Sequence, residues 1–268
     1  MLAWLEFIPG GVSLKGFIYQ FFYLANYFEI FFKDTAATPK GTVVLWSLAV
    51  EEHFYILYPL VMIFLFKRYD YKKIINIFIV TSLVILGWRI FLASLDSFPK
   101  DRNALASDTR FDGILLGCVL ALSQVIKGFR EATDSSILKL KDLGIIGGSL
   151  VLFGTTFIVG DEFFRETFRY TIQAVALMPL FYYAIMKYDS WMFKLLQNNV
   201  LRKLGIYSYV IYLIHFSLHF LLWGDIENHA DGRYLKTVVT FGLSIAIAAA
   251  YDTLVEPKFT KMRARLRA

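Results

Sequence analysis

Cysteine is almost absent from the 268-residue chain, in which Cys118 is the only one. A single cysteine cannot form an intrachain disulfide, so cysteine content does not indicate a redox compartment. Cys118 lies inside an apolar run, where we expect it to pack as a small apolar residue. Disulfides therefore contribute nothing to the predicted fold.

A basic amino-terminal region is also missing. Residues 1–16 carry Glu6 and only a short apolar run before Pro9, a pattern that does not fit a secretory signal peptide. Low-complexity tracts, coiled-coil repeats and nucleic-acid motifs are absent, so no nucleic-acid partner is predicted. The net charge of +6 is therefore interpreted first in terms of membrane topology.

Apolar residues dominate what is present, since 57% of the chain is hydrophobic and 26 residues are phenylalanine. The apolar runs reach about 20 residues and show no ten-residue alternation, which favours helical spans over a membrane barrel. We predict an all-α polytopic membrane helical bundle. Its seven transmembrane helices are expected at residues 43–66, 74–95, 109–127, 142–160, 169–187, 204–224 and 235–256.

An eighth segment, residues 14–32, is rich in aromatic residues but contains Gln20, Asn26 and Glu29. This mixture is expected to form an interfacial or re-entrant segment, with a further full span as the alternative. We divide the chain accordingly into an amino-terminal segment (1–42), a transmembrane domain (43–256) and a basic tail (257–268).

Lysine and arginine are unevenly distributed among the predicted loops. Seventeen lie in the tail and in the loops on its side, whereas nine lie in the opposite loops. The positive-inside rule therefore predicts a cytoplasmic carboxyl terminus.

Ionisable side chains fall within or beside the outer ends of several predicted spans: Glu51, Glu52, His53, Arg89, Arg110, Asp112, His215 and His219. A charge at the bilayer centre costs roughly 2.5 to 3.5 kcal/mol on insertion scales, so these groups need partners. We expect Arg89, Arg110 or a histidine of the sixth predicted span within about 4 to 6 Å of a Glu51 or Glu52 carboxylate. One such carboxylate could act as a general base, and a structural ion-pair network is the alternative.

Two further sequence patterns can each be interpreted in more than one way. Ser208, Tyr212, His215 and His219 share one face of the sixth predicted span, which must contact protein or water. The His215 and His219 pair has no third metal ligand nearby in the sequence, so no metal is predicted, and a packing role is the alternative for His215. The Gly113–Gly117 and Gly144–Gly148 spacings favour close helix packing over a ligand role.

Four motifs appear in a fixed order along the chain. They are WSLAVEEHFY at 46–55 with Pro59, RFDGILLG at 110–117, LGIYSYVIYLIH at 204–215, and Glu256 followed by Pro257. Together they resemble the acyltransferase 3 family of polytopic membrane enzymes.

The resemblance implies transfer of an acyl group, commonly acetyl, from cytosolic acyl-CoA to a hydroxyl of an extracytoplasmic carbohydrate such as surface polysaccharide, lipopolysaccharide or peptidoglycan. It implies a bacterial inner-membrane location and no bound cofactor. The catalytic candidates are Glu51, Glu52, His53 and His215. The substrate-binding candidates are Trp46, Ser47, Arg89, Arg110, Asp112, Ser208, Tyr209 and Tyr212.

Two departures from the family pattern bear on activity. The family's first three spans, with their arginine and histidine, have no counterpart here, so an open apolar groove is expected where they would pack. His53 stands where the family usually has glutamine, and an imidazole could substitute as the base. The alternative function is a non-enzymatic membrane component or a lipid-linked sugar transporter.

Overall fold

The computed structural model describes residues 14–32, 41–42, 44–95, 101–126, 138–224 and 232–267. Within these ranges the chain is helical and contains no strand, which confirms the all-α prediction. The helices are α1 (Leu14–Phe21), α2 (Ala25–Phe32), α3 (Leu45–Phe66), α4 (Tyr71–Ala93), α5 (Arg102–Leu105), α6 (Phe111–Ile126), α7 (Leu140–Ile158), α8 (Glu162–Glu166), α9 (Phe168–Met186), α10 (Trp191–Lys194), α11 (Asn199–Trp223), α12 (Arg233–Leu254) and α13 (Glu256–Arg267).

Each of the seven predicted spans coincides with a helix, but the count of seven membrane spans is not confirmed. Among the described residues, five helical segments are long and apolar enough to cross a membrane: α3, α4, α7, α11 and the continuous segment Arg233–Arg265. Helix α6 is apolar but has only 16 residues. The protein is therefore a polytopic membrane protein with five segments of spanning length in its described part.

Local signals explain where some of these helices begin. The Asp70 side chain accepts a hydrogen bond from the backbone nitrogen of Lys73 at 3.1 Å and caps α4. Asn198 caps α11 in the same way through the nitrogen of Val200. Pro59 lies inside α3, which membrane helices tolerate because neighbouring groups satisfy the freed carbonyl.

The chain divides into two compact units, and the larger contains residues 23–33 and 46–195. Its main core lies among α3, α4 and α6, where Phe54, Met62, Phe78, Leu115 and Val119 are buried against one another. Helix α4 packs on α6, α6 on α9, and α9 on α7. Because lipid tails are as apolar as these side chains, van der Waals packing holds the helices together rather than release of water.

The smaller unit contains α1, residues 41–45 and α11 to α13. Gly41 has φ +89° and lies so close to α11 that an added Cβ would come 2.8 Å from the Cα of Ser217. The Ser217 hydroxyl donates to the Gly41 carbonyl at 2.7 Å, and the Tyr212 hydroxyl donates to the Val44 carbonyl at 2.8 Å. The segment that leads into α3 is thereby fixed on α11.

The aromatic segment 14–32 forms two helices of eight residues each, α1 and α2. They are separated at Tyr23, which has φ +58°, an unusual conformation for a residue other than glycine. A helix of this length spans about 12 Å, well short of a bilayer core. Neither helix alone crosses a bilayer core, and both the interfacial location and the alternative of a full-thickness span stay predictions.

Candidate active site

Arg89 and Asp112 form a fully buried ion pair between α4 and α6. The Arg89 Nη1 and Nη2 atoms donate to the two carboxylate oxygens of Asp112 at 3.1 and 2.7 Å, and the two side chains are 0% and 1% exposed. Thr171 on α9 also donates to Asp112 at 2.6 Å and contacts Arg89. The pair therefore ties three helices together, with the bidentate geometry that makes arginine–carboxylate pairs strong.

The same arginine fixes the segment 101–110 that connects α4 to α6. Its Nη1 donates to the carbonyl of Thr109 at 2.8 Å, and its own carbonyl accepts from the Asn103 side chain at 3.1 Å. The Thr109 hydroxyl in turn donates to the carbonyl of Ala106 at 2.8 Å. This segment is held as a rigid structure rather than as an exposed loop.

The expectation that Glu51 or Glu52 would neutralise Arg89 is wrong, because Asp112 does so. Glu51 is exposed on α3 and Glu52 is partly buried. Glu51 interacts with the Tyr55 hydroxyl one turn along its own helix. Within the part of the chain that the structure describes, neither glutamate forms an ion pair with an arginine. The catalytic assignment of the two glutamates stays a prediction.

His53, which follows Glu52 on α3, does have a hydroxyl partner. Its Nδ1 lies 2.7 Å from the Oγ of Ser107, and its ring also hydrogen-bonds the backbone of Tyr23. The Asn26 side chain on α2 donates to the same Ser107 oxygen at 3.1 Å and to the Leu105 carbonyl at 3.2 Å. Since Ser107 accepts from Asn26, its one hydroxyl hydrogen is left to donate, and both His53 Nδ1 and the Tyr27 oxygen are within its reach.

Asp108, next to Ser107, accepts three hydrogen bonds from groups on different elements. The donors are Trp88 Nε1 at 2.8 Å, Arg102 Nη2 at 2.8 Å and the Tyr27 hydroxyl at 3.4 Å. Burial and then the charge of Asp108 raise the pKa of the Tyr27 phenol above its usual value. Tyr27 therefore remains protonated and acts as a donor at neutral pH.

Glu29, also on α2, has an unusual carboxyl group. Burial and then the negative charge of nearby Asp101 raise the pKa of Glu29 above its ordinary value. Both effects disfavour the charged carboxylate. Glu29 is thus a second acid near the Ser107 cluster that the sequence pattern did not single out.

Arg110 has a different environment from that of Arg89. Its guanidinium carbon lies 3.8 Å from the centre of the Tyr170 ring, and the Arg169 guanidinium lies 5.0 Å from the same ring. The Nη1 atom of Arg110 is buried and has no hydrogen-bond partner among the described residues. A cation on a tyrosine face with unused donors is suited to binding an anion.

Arg110 and Tyr170 lie at one end of a groove of about 260 Å³ between α6 and α9. The groove is lined by Arg110, Asp112, Gly113, Gly117, Leu120, Tyr170, Gln173, Ala174, Leu177, Met178 and Phe181. A Cβ added at Gly117 would meet nothing within 4 Å, and one at Gly113 would just reach Ala174. Gly113 therefore lies at contact distance from α9, as the packing interpretation expects, whereas Gly117 faces open space.

The α11 candidates are not brought together as one cluster. Ser208 donates to the carbonyl of Gly205 on its own helix at 2.8 Å, and Tyr209 is 55% exposed. His215 Nδ1 lies 2.8 Å from the Tyr212 carbonyl, so it donates there and leaves Nε2 as an acceptor. His219 Nδ1 lies 3.4 Å from the Thr240 hydroxyl on α12. Since these residues belong to the smaller unit, the predicted cluster with α3 and α4 stays a prediction.

The remaining sequence candidates lie at the start of α3. Trp46 packs against the buried residues Ile30, Leu105 and Ala106, and Ser47 is partly buried. Trp46 thus joins α2 and the 101–110 segment to α3. The described residues contain no group of three histidine, cysteine, aspartate or glutamate side chains that could hold a metal ion. His229 lies outside the described residues.

Sequence reasoning missed several residues of this site: Asn26, Ser107, Asp108, Tyr170 and Thr171. Asn26 had a signal, because it is an amide in an otherwise aromatic segment. Ser107 and Asp108 immediately precede the RFDGILLG motif, where a polar run between two spans suggested only a loop. Thr171 and Tyr170 had no distinguishing signal, since single polar residues near a helix start are common.

Membrane-length helices and a buried polar network between α4 and α6 together define a polytopic membrane protein with a candidate site at the junction of these helices. The family model described as an acyltransferase domain, acyltransferase 3, matches residues 6–252. The chain belongs to the acyltransferase 3 family.

The names of similar proteins support the assignment to this family. The chain is 32% identical over 203 residues to "O-acetyltransferase OatA" of Staphylococcus aureus strain NCTC 8325 / PS 47, which covers 74% of this chain and 33% of that protein. It is 31% identical over 254 residues to "Putative O-acetyltransferase SACOL0978" of Staphylococcus aureus strain COL, covering 90% of this chain and 40% of that protein. The chain thus spans between a third and two fifths of the length of these relatives. No solved structure matches it significantly.

Proposed function

We propose that the chain functions as a membrane O-acyltransferase. It would move an acyl group, acetyl in the first instance, from cytosolic acyl-CoA to a hydroxyl of an extracytoplasmic carbohydrate. Family membership and the names of the relatives support the reaction class. The hydrogen bond between His53 and Ser107 carries the proposed chemistry, because it joins an imidazole base to a hydroxyl. The basic tail supports a bacterial inner-membrane protein with a cytoplasmic carboxyl terminus.

In this proposal His53 is the general base and Ser107 connects it to the acceptor. The acceptor hydroxyl passes its proton to Ser107 as Ser107 donates its own to His53 Nδ1. The acceptor oxygen then bonds to the acyl carbon, the carbon–sulfur bond of the thioester breaks, and the proton on His53 is returned to the thiolate. A positioned base of this kind contributes about 10² to 10⁴-fold to a rate.

The other candidates take supporting roles in the proposal. Arg110, with its unpaired donors, would bind an acidic group of a substrate. His215 is a second candidate base, because its bonded Nδ1 leaves Nε2 free to accept a proton. Glu51 and Glu52 remain candidates for orienting a substrate hydroxyl, since Glu51 is exposed and Glu52 partly so.

The test is acyl transfer by the purified protein in lipid vesicles. Radiolabelled acetyl-CoA is supplied with a cell-surface polysaccharide, and alkali-labile label on the polysaccharide is counted. The assay is run on the chain alone and within the longest open reading frame that contains it. We expect His53→Gln and Ser107→Ala each to lower the rate by about 10²-fold or more, the size of a lost proton-transfer contribution.

Ser82→Ala is the matched control. Ser82 is a buried serine on α4 whose hydroxyl donates to the Phe78 carbonyl of its own helix at 2.9 Å. This variant should transfer acyl groups at a rate close to that of the wild type. Transfer that survives both His53→Gln and Ser107→Ala would rule out the proposed base, and an inactive wild-type reading frame would rule out the reaction.

A further inference from the structure

The groove between α6 and α9 has a polar end and an apolar end. Along α6 its wall is formed by Gly113, Gly117 and Leu120, which follow one face of the helix below Arg110. At 1.5 Å per residue the wall from Gly113 to Leu120 is about 10 Å long. Phe181 on α9 lines the opposite end from Arg110 and Tyr170. A ligand that fills the groove must therefore carry a polar head and an apolar chain.

The polar end has an excess of positive charge. The guanidinium groups of Arg110 and Arg169 both lie against Tyr170, and the one acidic residue among the described lining residues, Asp112, is already paired with Arg89. The buried Nη1 of Arg110 has no hydrogen-bond partner among the described residues. A phosphate matches this end, since guanidinium groups bind phosphate oxygens with charge-assisted hydrogen bonds.

The groove also opens sideways, away from the core of the larger unit. Gly113, Gly117 and Phe181 are all exposed, and Phe181 is 57% exposed. A volume of about 260 Å³ exceeds the 150 Å³ cavity that accommodates benzene, so it can take part of one hydrocarbon chain. In a bilayer, lipid chains run along the helices just as this groove does.

We propose that the groove binds a membrane lipid phosphate, with the phosphate at Arg110 and one hydrocarbon chain along Gly113 and Gly117. Charge complementarity favours this occupant over a packed helix, which would need an acidic side chain at the level of Arg110. The lipid phosphate would occupy the guanidinium that the proposed function gives to an acidic group of a substrate, so the two ligands would compete at Arg110, but lipid binding is measured without acyl donor or acceptor.

The test distinguishes binding of the phosphate from binding of the hydrocarbon chain. Three probes are added to the purified full-length protein in detergent: dioleoyl phosphatidic acid, dioleoylglycerol and inorganic phosphate. Bound lipid is measured by native mass spectrometry. Only dioleoyl phosphatidic acid should bind saturably to the wild type. Arg110→Gln should weaken this binding about tenfold, the size expected for losing a charged hydrogen-bond donor, and Arg110→Lys should lose less.

Gly117→Leu fills the groove without meeting another atom within 4 Å of its Cβ, and it should weaken binding by a similar factor. Gly148→Leu on α7 is the matched control, since Gly148 is also an exposed helical glycine with no atom within 4 Å of an added Cβ. The control should bind within about twofold of the wild type. Equal binding of dioleoylglycerol, undiminished binding by Gly117→Leu, an equal loss in Gly148→Leu, or no saturable binding would each overturn the proposal.

Discussion

Arg89 and Arg110 both act electrostatically on Asp112, but their guanidinium groups occupy different environments. Arg89 is 0% exposed and donates to both Asp112 oxygens and to the Thr109 carbonyl. Arg110 lies on the Tyr170 ring, and its Nη1, like the Nε of Arg89, is buried without a hydrogen-bond partner among the described residues. Arg89 is neutralised by its ion pair with Asp112, whereas Arg110 is held against an aromatic face and keeps its charge for a ligand.

The difference separates a structural role from a binding role. A buried charge that loses its partner is costly, so Arg89 and Asp112 depend on each other for the fold. A cation that is held only by an aromatic face can bind an anion without breaking a structural pair. Removing the charge of Arg89 would thus affect stability, whereas removing the charge of Arg110 would affect ligand binding.

The largest expected effect comes from breaking the buried pair. Asp112→Asn leaves the Arg89 charge without its counter-charge and should destabilise the fold by about 3 to 5 kcal/mol. Unfolding in detergent, followed by circular dichroism, measures this loss. The double variant Arg89→Met with Asp112→Leu should recover most of it, because apolar residues replace both charges.

The matched comparison for that variant is Asp108→Asn. Asp108 pairs with Arg102 at 2.8 Å, is 39% exposed and as asparagine keeps one oxygen for its three donors, so the lost charge should cost about 1 kcal/mol. Equal costs for Asp112→Asn and Asp108→Asn would remove the distinction between the buried and the exposed pair.

A smaller effect is expected at Thr171, which donates to Asp112 at 2.6 Å. Thr171→Val keeps the shape and removes the hydroxyl, so it should cost about 1.5 to 3 kcal/mol, the usual value for a hydrogen bond to a charged group. The same unfolding measurement applies. No loss in Thr171→Val would mean that α9 does not take part in holding the pair.

The smallest effect on stability is expected for Arg110. Arg110→Gln removes a cation from the Tyr170 face, an interaction of about 0.5 to 2 kcal/mol, but also removes repulsion from Arg169. The net change in the free energy of unfolding should therefore be within about 1 kcal/mol. A loss as large as that of Asp112→Asn would show that Arg110 is structural and would contradict the comparison with Arg89.

Helix positions could be predicted from the sequence because long apolar runs directly specify them. All seven predicted segments are helices, with ends within a few residues of the predicted ones. The number of membrane spans was harder to predict from the sequence, since α6 is shorter than a membrane span and the helix of the 14–32 segment is interrupted at Tyr23. A backbone break at a tyrosine has no sequence signal, because the φ of a single residue depends on its tertiary contacts.

The depth of the polar residues was predictable, but their pairing was not. Arg89 near the end of one span and Asp112 near the start of the next lie at the same depth, and this match could have identified the pair. Because the WSLAVEEHFY motif contains two acidic residues, Glu51 and Glu52 were predicted as the partners of the arginines instead. Arg110 precedes the first residue of α6, Phe111, so helix periodicity gave no sign of which partner its side chain meets.

The hydrogen bonds of Asn26 join residues that are 79 and 81 positions apart in the chain. Helix α2 therefore cannot reach its final position until α3, α4 and the 101–110 segment have been synthesised. At a ribosomal rate of about 5 to 20 residues per second, this interval is roughly 4 to 16 s. The His53 and Ser107 site can therefore form only after residue 107 has been synthesised, while α6 to α13 are still to follow.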